Sequence, residues 1–373
     1  MSKEIIAPIS AASNELDKVI LDIQKHKGAN SIHEANRIVP SNHIPTGCFV
    51  LDFALMGGIA DGYNTMLYGL ESSGKTTLAK KIVGQFQKKH EDKKAVWVDP
   101  EGMFDRDWAS KMGVDTDKLI YSSPETGNEA VDIIAAVMDA KETGLVVLDS
   151  VPACVPMTII EKSAEDDTMA ELARLMGKLC SKILVSQAKE RRRGHRVTVI
   201  LINQFRFKVG FVMGDNRTLP GGRQINHIPT TKIEVKNKEV MGKDKHEHEV
   251  VEVNEHEFKI TKAKHGSSIR HGEFRMIINP DNVMGLPQGT FEDFATVAAY
   301  SKRMGVITGG GASWKIDGVS KKFGKLEEIK DFLKDNEDHY LRLKQTLIAM
   351  QRKEKGLPML PPDNYLLDWC EAP

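Results

Sequence analysis

A chain of 373 residues, 40% hydrophobic and 28% charged, has the balance of a globular protein and is long for one compact core, so a large domain with smaller attachments is expected. Its 52 basic and 52 acidic side chains cancel, which excludes a strongly basic or acidic body and leaves any nucleic-acid contact to a local patch. No apolar run reaches the ~18 residues of a membrane span, MSKEIIAPIS lacks a secretory pattern, and Cys48, Cys154, Cys180 and Cys370 form no CxxC pair, so a cytoplasmic protein with reduced thiols and no membrane partner is expected.

In chain order, residues 12–26 place Leu16, Val19, Ile20 and Ile23 at helical spacing, an amphipathic arm followed by a KGANS hinge. From about 47 to 204, apolar runs at 65–69, 95–99, 119–122, 144–149 and 197–203 alternate with helical patterns. Runs apolar throughout suit parallel strands covered on both faces, and the alternation predicts a doubly wound α/β core. The helical patterns carry Leu78, Ile82 and Phe86; then Val131, Ile134 and Met138 behind an Asn128 cap; then Met169, Leu172, Leu175, Met176, Leu179 and Ile183. Residues 230–236 and 249–263 read as an antiparallel extension joined by the charged loop KDKHEHE. Beyond about 284, three helical patterns and a glycine cluster at 309–311 predict a small, mainly helical terminal domain. The expected division is thus an arm at 1–32, an α/β core at 33–283 and a terminal domain at 284–373.

GLESSGKT, Gly69 to Thr76, has the G-x-x-x-x-G-K-[ST] phosphate-loop pattern between an apolar strand and an amphipathic helix. Gly69 and Gly74 permit the tight turn through Glu71, Ser72 and Ser73, while the backbone amides and the helix amino terminus face the phosphates. Lys75 neutralises the outer phosphate oxygens, Thr76 ligates magnesium and Thr77 follows in the first turn. Asp149, closing the run LVVLD, is placed to hold the magnesium ion through water. Glu101, two residues beyond the strand-ending Asp99, is a candidate to orient and deprotonate an attacking water; a solvated loop glutamate is the competing reading.

GLESSGKTTL, VDPEGMFDRDWASKMGVD, LVVLDS, INQFRFKVG and ITKAK occur in the order and approximate spacing of RecA-type recombinases, and GASWKIDG resembles that family's carboxyl-terminal domain. The resemblance runs from about residue 20 into the terminal domain and covers most of the chain. It implies a RecA-like P-loop ATPase core with a largely parallel sheet, an amino-terminal polymerisation helix and a small carboxyl-terminal α/β domain, in the manner of bacterial or virus-encoded members. It further implies ATP and Mg2+ as cofactors, Glu101 as catalytic glutamate, and Asp105 and Trp108 as adenine contacts. Lys262 and Lys264 would reach the nucleotide of the adjacent protomer, and Gln204 would couple the γ-phosphate to a DNA-binding loop.

That loop is FRFKVGFVMGDNRTLPGG. Arg206, Lys208 and Arg217 suit backbone phosphates, and Phe207, Phe211 and Met213 suit bases and sugars. Gly210, Gly214, Gly221 and Gly222 permit rearrangement. A second loop at 161–169 is acidic, leaving Met169 and Arg174 as its contacts. The basic run 189–196 reads either as a duplex-DNA receptor or as a solvated helix end, and His246, His248 and His256 read as a charged loop rather than a metal site.

The function implied is a DNA-dependent ATPase that forms helical filaments on single-stranded DNA and exchanges strands with homologous duplex DNA, alongside single-strand-binding and mediator proteins. The competing readings are a ring-forming helicase motor of the same superfamily, which would carry an arginine in place of the Lys262/Lys264 pair, and a non-catalytic ATP-binding mediator or scaffold, which would lack Glu101 or the 205–222 loop.

Overall fold

The computed structural model describes residues 14–33, 42–160, 168–207, 216–243, 249–264, 269–282, 284–311 and 313–359. Helix α1 (Glu15–Lys27) opens on Asn14, whose side chain accepts from the Asp17 amide, and closes on Gly28 at φ 96°. Its acidic first turn and basic last turn both suit the helix dipole. Leu16 and Val19 of its apolar stripe are exposed. The turn at 29–31 touches the body where the Asn30 amide donates to the Arg192 carbonyl, 3.2 Å away.

Next come β1 (His43–Ile44), α2 (Phe49–Ala54) and β2 (Ile59–Ala60), then the alternating core: β3 (Asn64–Gly69), α3 (Lys75–Lys89), β4 (Lys94–Val98), α4 (Arg106–Lys111), β5 (Ile120–Ser122), α5 (Gly127–Met138), β6 (Thr143–Leu148), α6 (Met157–Ile160), α7 (Thr168–Arg192) and β7 (Thr198–Gln204). The short pair β8 (Arg206–Phe207) and β9 (Arg217–Thr218) precedes α8 (Gly222–His227). The long strands β10 (Thr231–Lys243), β11 (Glu249–Ala263) and β12 (His271–Ile277) follow. The chain then forms α9 (Phe294–Arg303), a hairpin of β13 (Ile307–Gly310) and β14 (Ser313–Ile316), α10 (Leu326–Asp335) and α11 (Glu337–Glu354).

One eight-stranded sheet has the order β12-β11-β10-β3-β7-β6-β4-β5. It is parallel from β10 to β5 and antiparallel at β10–β11–β12. Strand alternation sorts the apolar runs onto two cores. Leu67, Ala95, Trp97, Leu145, Val147, Ile200 and Ile202 point to one face, where α2, α3 and the carboxyl-terminal helices pack. Met66, Val96, Val98, Val146, Leu148, Val199 and Leu201 point to the other, against α5, α7 and α8.

Two local expectations change. Helix α5 is capped by Thr126, whose side chain accepts from the Glu129 amide; Asn128 instead accepts from the Met157 amide and ties down α6. Strand β12 joins the extension, pairing Phe274 with His256. The terminal region carries a β-hairpin, and its apolar side chains join the core's own cluster. Buried Asp293 knots that junction by accepting from the Phe49 amide at 3.0 Å and from the Tyr340 hydroxyl, with the Lys344 ammonium 3.6 Å away.

Candidate nucleotide and nucleic-acid site

The carboxyl ends of β3, β4, β6 and β7 meet at one edge of the sheet, where open α/β sheets bind ligands. The phosphate loop leaves β3 there and turns into α3 through Gly74 in the left-handed region, φ 89°. Gly69 admits no side chain, because a Cβ would fall 2.2 Å from the Val235 carbonyl oxygen. Ser72 also has a positive φ of 54°. Lys75 is buried, and its ammonium donates to the Leu70 carbonyl and, at 3.2 Å, to the Ser73 hydroxyl. Burial lowers its pKa from the usual lysine value, against the opposing charges of Asp149, Glu71 and Glu101.

Thr76 donates its hydroxyl to Asp149 at 3.3 Å. Asp149 is pushed up to about 7, first by burial, then by the charges of Asp99 and Glu101, while the Thr76 bond and Lys80 oppose the rise. A carboxylate beside a hydroxyl is donor chemistry that suits a hard divalent cation, whose shell phosphate and water oxygens would complete. Glu101 accepts from the Ser150 hydroxyl at 2.8 Å, so the ends of β4 and β6 are joined side chain to side chain. The segment carrying Glu101 is pinned at its start, where the Asp99 carboxylate accepts from the Glu101 and Gly102 amides at 3.0 Å each.

Asp105 caps α4 by accepting from the Trp108 amide, and the Trp108 indole donates to Thr77 at 3.2 Å. A cleft beside the loop is lined by residues 72–77, Trp108, Asn254, His256, Met276 and Ile278. Sequence reasoning missed its far wall. Asn254 and His256 project from β11 and Met276 from β12, which had not been recognised, although Phe274 and Met276 alternate as a half-buried strand requires. His256 is no loop histidine: it is buried and stacked on Phe274 at 4.8 Å, with Nδ1 3.2 Å from the Ser73 carbonyl oxygen. A Cβ on Gly74 would lie 2.5 Å from its ring, so this histidine backs the phosphate loop directly. Burial pushes its pKa down to about 4. His246 and His248 lie outside the described residues.

Gln204 is the last residue of β7 and the register partner of Gly69. The adjoining Asn203, fully buried, donates to the Pro220 carbonyl at 3.1 Å, and the Phe205 amide donates to the Gly69 carbonyl. The start of the 205–222 segment is therefore fastened to the phosphate-loop strand β3, and its end to β7. Phe207 is exposed on β8, and Arg206 pairs in register with Thr218. Arg217 pairs with Glu234 at 3.2 Å and lies over the Phe205 ring. Gly221 and Gly222 have left-handed φ angles and form the packed turn into α8: a Cβ on Gly222 would lie 2.8 Å from Ala173 Cβ. Lys208, Gly210, Phe211, Met213 and Gly214 lie outside the described residues, as do residues 161–167 and the Met169 side chain. Arg174 pairs with Glu171, 3.3 Å away on the same helix.

Lys262 lies directly opposite Lys232, which is level with Met66, three residues before the loop. Its ammonium donates to the His227 carbonyl at 2.6 Å, so the sheet directs it away from its own phosphate loop. Lys264 continues toward the same end, its amide donating to the Thr230 carbonyl. In the basic run, Lys189 pairs with Asp139 and Arg193 with buried Glu190, while Arg191 donates to the Gly62 carbonyl over the Tyr63 ring. This pins the end of α7 to the body.

A family model for the RecA N-terminal domain matches residues 14–281. The chain is 30% identical to the protein named Protein RecA of Clostridium tetani over 361 residues, covering 96% of this chain and 95% of that one. It is 31% identical to its namesake in Syntrophus aciditrophicus over 346 residues, 92% and 94% of the two chains. Against that of Acidothermus cellulolyticus the figures are 32% over 329 residues, 87% and 88%.

Proposed function

Because the chain belongs to the RecA family, ATP-dependent recombinases of DNA recombination and repair with a DNA-dependent ATPase, we propose how its own residues divide that work. The loop amides and Lys75 hold the phosphates of ATP. Thr76 and, through water, Asp149 would hold Mg2+, which would supply screening of the phosphate charge. Glu101 orients the attacking water and takes its proton, with Ser150 steering the carboxylate. Trp108, on the Asp105-capped helix, stacks on the base. Gln204 donates to the γ-phosphate and loses that bond when the phosphate departs. Lys262 and Lys264 reach the nucleotide of the next protomer, onto which α1 also docks, and repetition of that open head-to-tail contact builds a helical filament.

Single-stranded DNA is held by the 205–222 segment, from Arg206, Phe207 and Arg217 through Lys208, Gly210, Phe211 and Met213 to Gly221 and Gly222, with Met169 and Arg174 beside it. Homologous duplex DNA then pairs by its bases, and single-strand-binding and mediator proteins govern loading. The observation that carries this reading is the pairing of Gln204 with Gly69: the residue that starts the DNA segment lies level with the first glycine of the phosphate loop. The presence of Glu101 and of the Lys262/Lys264 pair leaves the helicase and scaffold readings without a feature in their favour. Electron microscopy with single-stranded DNA and a non-hydrolysable ATP analogue tests it. Filaments are expected for the parent and none for Lys75→Ala, with DNA affinity falling steeply as salt rises. Normal filaments and strand exchange by K75A would refute the scheme.

A further inference from the structure

The segment that carries Glu101 has a second anchor, and it comes from the phosphate-loop helix. Lys80 lies four residues after Thr76 and three after Thr77, on the side of α3 that faces Asp149 and Trp108. A lysine stem on an open helix reaches water, yet this one is only 3% exposed. Its ammonium donates to the Asp105 carbonyl at 3.2 Å and sits 4.8 Å from the centroid of the Phe104 ring. That ring packs in turn on Trp97 and Tyr121, at 5.4 and 5.3 Å. We propose that Lys80 is a positioning residue of the ATPase reaction: it fastens segment 99–105 to α3, so that Glu101 keeps its place over the phosphates.

The physical case rests on what holds each end. Asp99 fixes the start of the segment to β4 through two amides, but it belongs to the same strand and conveys nothing from the phosphate loop. Lys80 ties the far end to the helix whose first turn grips the nucleotide. Burial lowers its pKa, while the charges of Asp105, Asp149 and Asp99 hold the proton on, so a cation–π contact and a charged donor act together. Cut the tie, and the far end of the segment loses its link to α3, leaving Ser150 and Asp99 to hold the carboxylate that must meet a water in line with the γ-phosphate; misplacement of about 1 Å can cost about 100-fold in rate.

This rests on the reading of Glu101 as the water-orienting group, so Glu101→Gln is run in parallel. Steady-state ATP turnover is measured on the full chain with Mg2+ and saturating single-stranded DNA, and thermal midpoints are recorded beside it. Lys80→Met, which keeps the stem and deletes the ammonium, is expected to lower kcat about ten-fold with KM for ATP within about two-fold. Lys80→Arg, which keeps charge and donor, recovers most of that loss. A K80M enzyme with parental kcat overturns the proposal, as does a kcat loss equal in K80M and K80R that merely follows the thermal midpoint. Should K80M not fold, Phe104→Leu serves instead: a several-fold fall in kcat at unchanged KM supports the tie and a parental kcat refutes it. Full turnover by E101Q would instead sink the reading of Glu101 itself.

Discussion

His256 offers a quantitative test of how the phosphate loop is supported. The unfolded imidazole takes a proton near 6.5, whereas burial between Gly74 and Phe274 lowers that to about 4 in the folded chain. Between those values the unfolded state binds more protons, so stability is full above pH 7, falls as pH drops through 6.5, and levels off below about 4. At pH 5 the unfolded group is almost fully protonated and the folded one about one-tenth so. The folded state therefore loses about 2 kcal/mol relative to pH 7. Urea unfolding of nucleotide-free protein at pH 7 and pH 5 reads this directly when the parent is compared with His256→Asn, which can still donate to the Ser73 carbonyl but does not titrate. The parent should lose about 2 kcal/mol more than the variant over that interval. His90, also buried and lowered in pKa, contributes equally to both proteins and cancels. Equal losses in the two proteins would show that burial of this ring does not perturb its titration, and the account of the loop's support would fail.

Glu101→Gln should reduce DNA-stimulated ATP turnover by about 100-fold or more, the usual contribution of a positioned base, while nucleotide affinity read from Trp108 fluorescence changes little. A parental turnover number would remove Glu101 from the chemistry. Lys344→Met strands the Asp293 carboxylate against its two remaining donors and should cost about 3 kcal/mol in urea unfolding. The double variant with Asp293→Asn should recover part of it, and a loss under about 0.5 kcal/mol for K344M alone would mean that the pair does not hold the terminal helices to the core.

The phosphate loop, the strands that flank it and the acidic residues at their ends were legible because each signal is local. A glycine turn, an apolar run and a terminal carboxylate fall within a few residues of one another, so the sequence alone marks where they stand. The boundaries of β3, β4, β6 and β7 lie within a residue of the apolar runs for the same reason. The Asn128 cap was misplaced because Thr126, two residues earlier, offered an equally good hydroxyl, and only the packing of α6 claimed the asparagine.

Other parts of the site exist only through long-range register. His256 meets Ser73 across 183 residues, and Lys80 became a buried anchor only when the 99–105 segment folded over its helix face. The far wall of the cleft needs β11 and β12 paired at a particular offset, and the terminal helices share the core's apolar cluster because Asp293 meets Phe49 and Lys344 across the junction. A side chain's type and spacing declare the chemistry it can perform; whether it faces water, a phosphate or a neighbouring ring depends on which distant strand lies beside it, and that is decided by burying two faces of one sheet at once.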